Sequence, residues 1–179
     1  MQESEAAAVA RARTGDGEAF RVLVERYGRS VFRLAYRMTG NEQDAEDVVQ
    51  ETFLRAYRQL SRYDGRASFH TWIYRIASNY ALDLLRSRRA GSPPAEELTC
   101  PEPQADRLAM SGQIGLRLRE GMAEMTEQER AAFVLRHFEG MSIDEIGSVL
   151  GIAESATKNS IFRAVQKLRR RLAPFVGGG

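Results

Sequence analysis

Apolar residues recur along this chain every three or four positions, the period of an amphipathic helix, and no stretch alternates as a half-buried strand does. Phe20, Leu23, Tyr27, Val31, Leu34 and Met38 form the first series, which stops at Gly40, a residue suited to end a helix. A second helix is predicted from about Asn41 to Asp44, with Ala45, Val48, Val49, Thr52, Phe53, Ala56 and Leu60 turned inward. After the loop RYDGRAS a third begins at Phe69. Its apolar side is Phe69, Ile73, Ile76, Ala77, Tyr80 and Leu84, and it ends among Arg86, Arg88 and Arg89.

Helical pattern resumes near Gln113 and runs to Pro174. EQERAAFVLRHFEG supplies one helix through Ala132, Phe133 and Phe138. Ser142 and Glu145 have the spacing of a capping box, in which each side chain satisfies a donor at the helix start. Ile143, Ile146, Val149 and Leu150 line the helix that follows. Gly151 tolerates positive φ, Ile152 fills the angle, and a last helix starts near Glu154. Two helices joined by a short glycine-containing turn describe a helix-turn-helix.

Pro93, Pro94, Pro101 and Pro103 fall within eleven residues between these blocks. Proline removes a backbone donor and fixes φ, so the stretch reads as an extended tether. The expected fold is therefore all-α: two small helical domains, 1–88 and 113–176, joined by a flexible acidic Pro-rich linker, 89–112.

An apolar share of 43% in 179 residues suits a chain that buries a core. No apolar run approaches the ~18–20 residues that span a bilayer, and the N-terminus lacks the apolar stretch of a secretory signal, so a cytoplasmic protein without membrane insertion is expected. Cys100, the single cysteine, lies among Pro101, Glu102 and Pro103 and reads as an incidental loop thiol. His70 and His137 sit in different blocks, no His/Cys cluster has metal-ligand spacing, and no phosphate-binding Gly-rich loop occurs. No enzyme, catalytic residue, metal or cofactor is expected.

The net charge of +2 announces nothing; its distribution does. From Glu154 to Leu172 the chain carries Lys158, Arg163, Lys167, Arg169, Arg170 and Arg171 against Glu154 alone. Projected at ~100° per residue, Ile161, Ala164, Val165, Leu168 and Leu172 fall on one side of this helix. Asn159, Phe162, Arg163, Gln166 and Arg170 fall on the other, with Lys158 at the margin. Such a face is either an ordinary solvated one or a reader of the DNA major groove; the capping box, glycine turn and basic face together favour the second. Arg163 and Lys158 suit guanine edges or phosphates, Asn159 adenine, and Phe162 a thymine methyl. On the second helix, Asp47, Gln50, Glu51, Leu54 and Arg58 share an arc opposite the apolar side. That arc is either a solvated face with one stray leucine or a docking stripe for a partner helix.

DAEDVVQETFLRAY, the loop YDGRAS, FHTWIYRIASNYALDLLRSRR and the helix-turn-helix together resemble the extracytoplasmic-function (ECF) sigma factors of bacterial RNA polymerase, over about Gly15 to Leu172. The resemblance implies that Asp47, Gln50, Glu51 and Leu54 pack on the clamp helices of the largest subunit of core RNA polymerase. It implies that Tyr63, Asp64, Gly65, Arg66, Ala67 and Ser68, with Asn79, capture a base flipped from the single-stranded −10 element of promoter DNA. Arg75, Arg86, Arg88 and Arg89 suit the adjoining backbone, and Trp72 suits either stacking on a base or core packing. Lys158, Asn159, Phe162 and Arg163, with Gln166 on the same face, match positions that read the −35 duplex, and Arg130 and Arg136 are candidate phosphate contacts. An anti-sigma factor is expected on family grounds.

Two positions depart from the family's usual pattern. Ala153 stands where a Ser or Thr cap is common, which would let the last helix start nearer Ser155, and Ser160 stands where a basic residue is common. The competing reading of the whole chain is a free-standing helix-turn-helix regulator whose residues 1–88 sense a ligand or partner.

Overall fold

Residues 4–91 and 112–176 are described by the computed structural model; the proline cluster, Cys100 and the acidic run before residue 112 lie outside them. Among the described residues there are eight α-helices, one 3-10 turn and no strand. The first four helices are α1 (Glu5–Arg13), α2 (Gly17–Thr39), α3 (Glu42–Gln59) and α4 (Phe69–Gly91), with the 3-10 turn at Leu60–Arg62. The second four are α5 (Gln113–Ala123), α6 (Glu127–His137), α7 (Ile143–Leu150) and α8 (Glu154–Val176). They belong to two compact units, each with its own core. The all-α architecture expected from the periodicity is what these residues form.

Local chemistry sets the boundaries in the first unit. Asp16 Oδ1 accepts from the backbone N–H of Glu18 (3.0 Å) and Ala19 (3.2 Å), starting α2. Gly40, at φ 70°, ends it in the left-handed region. Asn41 Oδ1 then accepts from Asp44 N–H at 3.0 Å to start α3, and Ser68 Oγ accepts from Thr71 N–H at 3.1 Å to start α4. Leu23, Val31, Leu34 and Met38 of α2, Ala45, Val48 and Ala56 of α3, and Ile73, Tyr74 and Ala77 of α4 are buried in the unit where these three helices pack together. Each fully buried aliphatic side chain of this set contributes roughly 1.5–3 kcal/mol of transfer free energy.

Two features differ from the periodic reading. The sequence pattern gave no sign of α1, a short Ala-rich helix that buries Ala8, Val9 and Ala12 against α2. The Tyr27 hydroxyl donates to the Glu5 carboxylate across that seam. The buried side of α4 is also rotated from the one expected: Tyr74, Ser78, Ala81 and Leu82 are inside, whereas Ile76, Tyr80 and Leu84 are half-buried. Small Ala77, Ser78 and Ala81 are buried with Tyr74 and Leu82, and the Tyr80 ring serves instead as a platform 4.9 Å beneath the Arg55 guanidinium.

In the second unit α5 lies against α8 so closely that a Cβ on Gly121 would sit 2.8 Å from Leu168 Cδ2. Thr126 and Glu129 form a capping box at the start of α6, and Ser142 and Glu145 form the expected one at the start of α7. α6 buries Ala131 to Leu135 in succession. Phe138, assigned above to its apolar face, instead lies past the last residue of α6 and is exposed, its ring edge-on to Phe133 at 6.2 Å.

Candidate nucleic-acid interface

The angle between α7 and α8 rests on small residues. Gly151, at φ 67°, closes α7, and Ile152 N–H donates to Gly147 O at 3.0 Å. A side chain on Gly147 would come within 3.0 Å of Ile152 O and 3.3 Å of Thr157 Oγ1, so glycine there permits the close approach of the two helices. Sequence reasoning missed Gly147; its signal was a glycine in the interior of a short amphipathic helix. Thr157 N–H and Oγ1 both donate to Ala153 O, at 2.9 and 3.0 Å. These bonds hold the first turn of α8 at Glu154, so the start does not slip toward Ser155 despite the missing cap side chain.

Asn159, Phe162 and Arg163 stand exposed on the first half of α8, and Phe162 keeps 63% of its surface in solvent. An aromatic left so bare on a helix with a full apolar side is unusual for packing and ordinary for contact with a ligand. Lys158 is exposed too and pairs with Glu154 one turn earlier; their hydrogen bond raises the Lys158 pKa and lowers that of Glu154. Gln166 is half-buried at the edge of the face. Arg136 donates from Nη1 to Met141 O at 2.9 Å across the α6–α7 corner, and Arg130 is half-buried. Ser160 and Lys167 point the other way, into the unit.

The loop before α4 is tied by its own bonds. Tyr63 is buried, tilted over Trp72 at 5.0 Å, and its hydroxyl donates to Ala67 O at 2.5 Å. Burial also pushes the Tyr63 pKa up, so the phenol stays a donor. Asp64 Oδ1 accepts from Arg66 N–H at 3.0 Å, and Gly65 supplies the positive φ of 77° that this turn needs. Asp64, Gly65, Arg66 and Ser68 are exposed at the tip, and Ala67 is half-buried. Along α4, Trp72, Arg75, Asn79 and Arg86 fall within roughly 60° of one another at ~100° per residue, the side on which Trp72 meets Tyr63 of the loop. Asn79 and Arg86 are exposed there, Arg75 half-buried. Arg88 lies on nearly the opposite side of α4 and pairs with Asp44 of α3, a carboxylate almost wholly enclosed. Arg89 is exposed.

On α3 the structure brings Asp47, Gln50, Glu51 and Leu54 into one arc; all are exposed except Glu51, which is half-buried. Glu51 accepts from Arg55 Nε at 2.9 Å. Leu54 leaves 44% of its surface in solvent, and Tyr57 beside it 55%, with its ring edge-on to Phe20 at 5.1 Å. Sequence reasoning did not include Tyr57, which extends the apolar part of the stripe. Among the described residues no cluster of three or more His, Cys, Asp or Glu forms, and no helix is long and apolar enough to cross a membrane.

Two segments match known families: residues 23–91 match Sigma-70 region 2 and residues 115–168 match Sigma-70, region 4. The chain is 32% identical to the RNA polymerase sigma-H factor of Pseudomonas aeruginosa, over 98% of its own length and 97% of that protein. It is 32% identical to the ECF RNA polymerase sigma factor SigW of Bacillus subtilis, covering 88% of this chain and 91% of the relative. It is 36% identical to the ECF RNA polymerase sigma factor SigE of Mycolicibacterium smegmatis over 84% of this chain, and spans 60% of that longer protein. Among solved structures, CnrH in complex with the cytosolic domain of CnrY superposes with a TM-score of 0.69 at 30% identity, covering 93% of this chain and 96% of CnrH.

Proposed function

This chain belongs to the ECF branch of the sigma-70 family of transcription-initiation factors, and from that premise we propose that it selects promoters by gripping two DNA elements while bound to core RNA polymerase. Residues 1–88 would dock on the enzyme and engage the −10 element, residues 113–176 would read the −35 duplex, and residues 89–112 would tether them. The observation that carries the reading is the exposed face of Asn159, Phe162 and Arg163 on the second helix of a tightly braced helix-turn-helix, in one chain with an exposed acid-and-leucine stripe on α3.

Leu54 supplies apolar area to the polymerase contact, and Asp47, Gln50 and Glu51 supply the polar rim that suits a basic or amphipathic helix. The tip Asp64–Ser68 with Asn79 offers polar edges and backbone groups to an unstacked base, with Arg75 and Arg86 along the same side for its phosphates. Since a flipped base exists only in melted DNA, binding it shifts the closed–open equilibrium toward open by that differential affinity. Tethering raises the effective concentration of the second contact once the first has formed, so two modest interactions combine into selective binding. A protein partner of the anti-sigma kind, and action in the cytoplasm, belong to the same proposal; CnrH was solved with the cytosolic domain of CnrY bound.

Run-off transcription from genomic fragments, using core polymerase with and without this chain, tests the proposal. New start sites that depend on both −10 and −35 sequences are the expected result. A chain that leaves start sites unchanged, yet binds duplex DNA alone as a dimer on symmetric half-sites, is instead a free-standing regulator.

A further inference from the structure

The basic run of α8 divides into two populations. Arg163, Arg169 and Arg170 are exposed, whereas Lys167 is turned into the unit. Its ammonium donates to Glu129 Oε2 at 2.5 Å and to Glu124 O at 3.0 Å, with 22% of the lysine side chain and 7% of the glutamate left in solvent. Arg171 follows one turn later, paired with Glu124 and reaching Glu120 at 3.5 Å. Ser160, seven positions before Lys167 and therefore on the same side of the helix, is 6% exposed and accepts from Gln128 Nε2 at 3.0 Å. Between them Ala164 is fully buried on the inner flank and Arg163 is exposed on the outer one.

Gln128 and Glu129, adjacent on α6, thus hold α8 at two points about 10.5 Å apart along its axis. Apolar packing through an alanine resists separation of two helices far better than it resists sliding or rolling of one on the other, because dispersion has little direction. Hydrogen bonds and ion pairs are directional, and they fix both motions. Rolling α8 by about 20° would carry side-chain atoms ~5.5 Å from its axis through about 2 Å, enough to break a hydrogen bond to a base edge.

We propose that Lys167 and Ser160 are positioning residues for −35 recognition: through Glu129 and Gln128 they set the roll of α8, and so the base preference of Asn159 and Arg163, without touching DNA. Glu129 is well placed for this, because the same carboxylate accepts from Thr126 N–H at 3.0 Å and is itself held by the start of α6.

The inference rests on α8 being the −35 reader, and the experiment separates the two. Holoenzyme carrying the full chain is titrated on promoter fragments bearing each single-base change in the −35 element, at several salt concentrations. Wild-type chain indifferent to every −35 change would sink the −35 reading and this inference with it. With −35 dependence established, Lys167→Met and Ser160→Ala should flatten the profile, bringing a penalty of about fivefold or more per wrong base pair toward twofold or less. The slope of log affinity against log salt should stay unchanged, and Lys167→Arg should restore the wild-type profile. A uniform loss across all sequences, with the slope reduced by about 0.9 in Lys167→Met, would make Lys167 a phosphate contact and overturn the proposal. A uniform loss at unchanged slope, alongside reduced helicity, would make the seam a matter of folding alone and overturn it equally. Ser160→Ala removes one oxygen from a buried site and keeps the test decisive should Lys167→Met unfold the unit.

Discussion

Arg88→Ala isolates a single pair of charges. Asp44 keeps 3% of its side chain in solvent and Arg88 49%; of the two carboxylate oxygens, Oδ2 takes the guanidinium and Oδ1 has no hydrogen-bond partner. Removing the arginine leaves an enclosed carboxylate with nothing to compensate it. A fully buried pair broken in this way costs about 3–5 kcal/mol and an exposed one about 0–1, so the half-exposed Arg88 places the loss at about 1–2 kcal/mol at pH 7. Trp72, the only tryptophan of the chain, packs on Tyr63 and Phe69 in the same unit, so its fluorescence reports unfolding of this unit alone. The urea midpoint should fall by about 1 M.

The pH dependence follows from the same geometry. Burial pushes the Asp44 carboxyl above its ordinary pKa of 3.8, and Arg88 pulls it back. A carboxyl raised on folding binds more protons in the folded than in the unfolded state. Its burial cost is therefore absent below the ordinary pKa and grows as pH rises through the folded one. Without Arg88 the carboxyl rises further, so the variant's deficit should be largest near pH 7 and shrink toward pH 4. Asp44→Asn in the Arg88→Ala background should recover most of the loss at neutral pH, because no charge is left enclosed. A deficit equal at both pH values, or no deficit, would refute the reasoning.

Leu54→Asp should abolish co-purification with core polymerase and leave the Trp72 unfolding curve within about 0.5 kcal/mol of wild type, since the side chain is already largely exposed. Asn79→Ala should weaken open complexes, read by permanganate footprinting, more than closed-complex binding. Arg163→Ala should cost about 1–3 kcal/mol at one −35 base pair and relax preference there; a uniform loss across sequences would show a phosphate contact instead. Gly121→Ala should change the thermal stability of the second unit by less than about 1 kcal/mol, measured by calorimetry, because the one contact closer than 3.0 Å is to Leu168 Cδ2, the movable end of a side chain, and its displacement is offset by the gain in helix propensity.

Local chemistry was legible from sequence alone. The Ser142–Glu145 box, Gly40 and Gly151 act within three or four residues, and each lies where its spacing placed it. The Thr126–Glu129 box obeys the same rule and was passed over. What sequence could not disclose is partnership across long separations. Arg88 was read only as a candidate backbone contact because Asp44 is 44 residues earlier, and Lys167 was read as part of a basic run because Glu129 is 38 residues earlier. Ser160 was read as standing where a basic residue is common, yet it is buried and accepts from Gln128, a partner 32 residues earlier that its own helix pattern could not reveal. The rotated side of α4 has the same origin: which of its residues turn inward, Tyr74, Ser78, Ala81 and Leu82 among them, depends on packing against α2 and α3, which the pattern within α4 does not contain.

The turn at Asp64–Ser68 is knotted before any nucleotide arrives. Its phenol latch and aspartate hook are bonds within the chain itself, so under the proposed function an incoming base would find its cradle already shaped and would lose little affinity to ordering it. Severing the Tyr63 latch should therefore slow promoter opening even where every atom facing the base is retained.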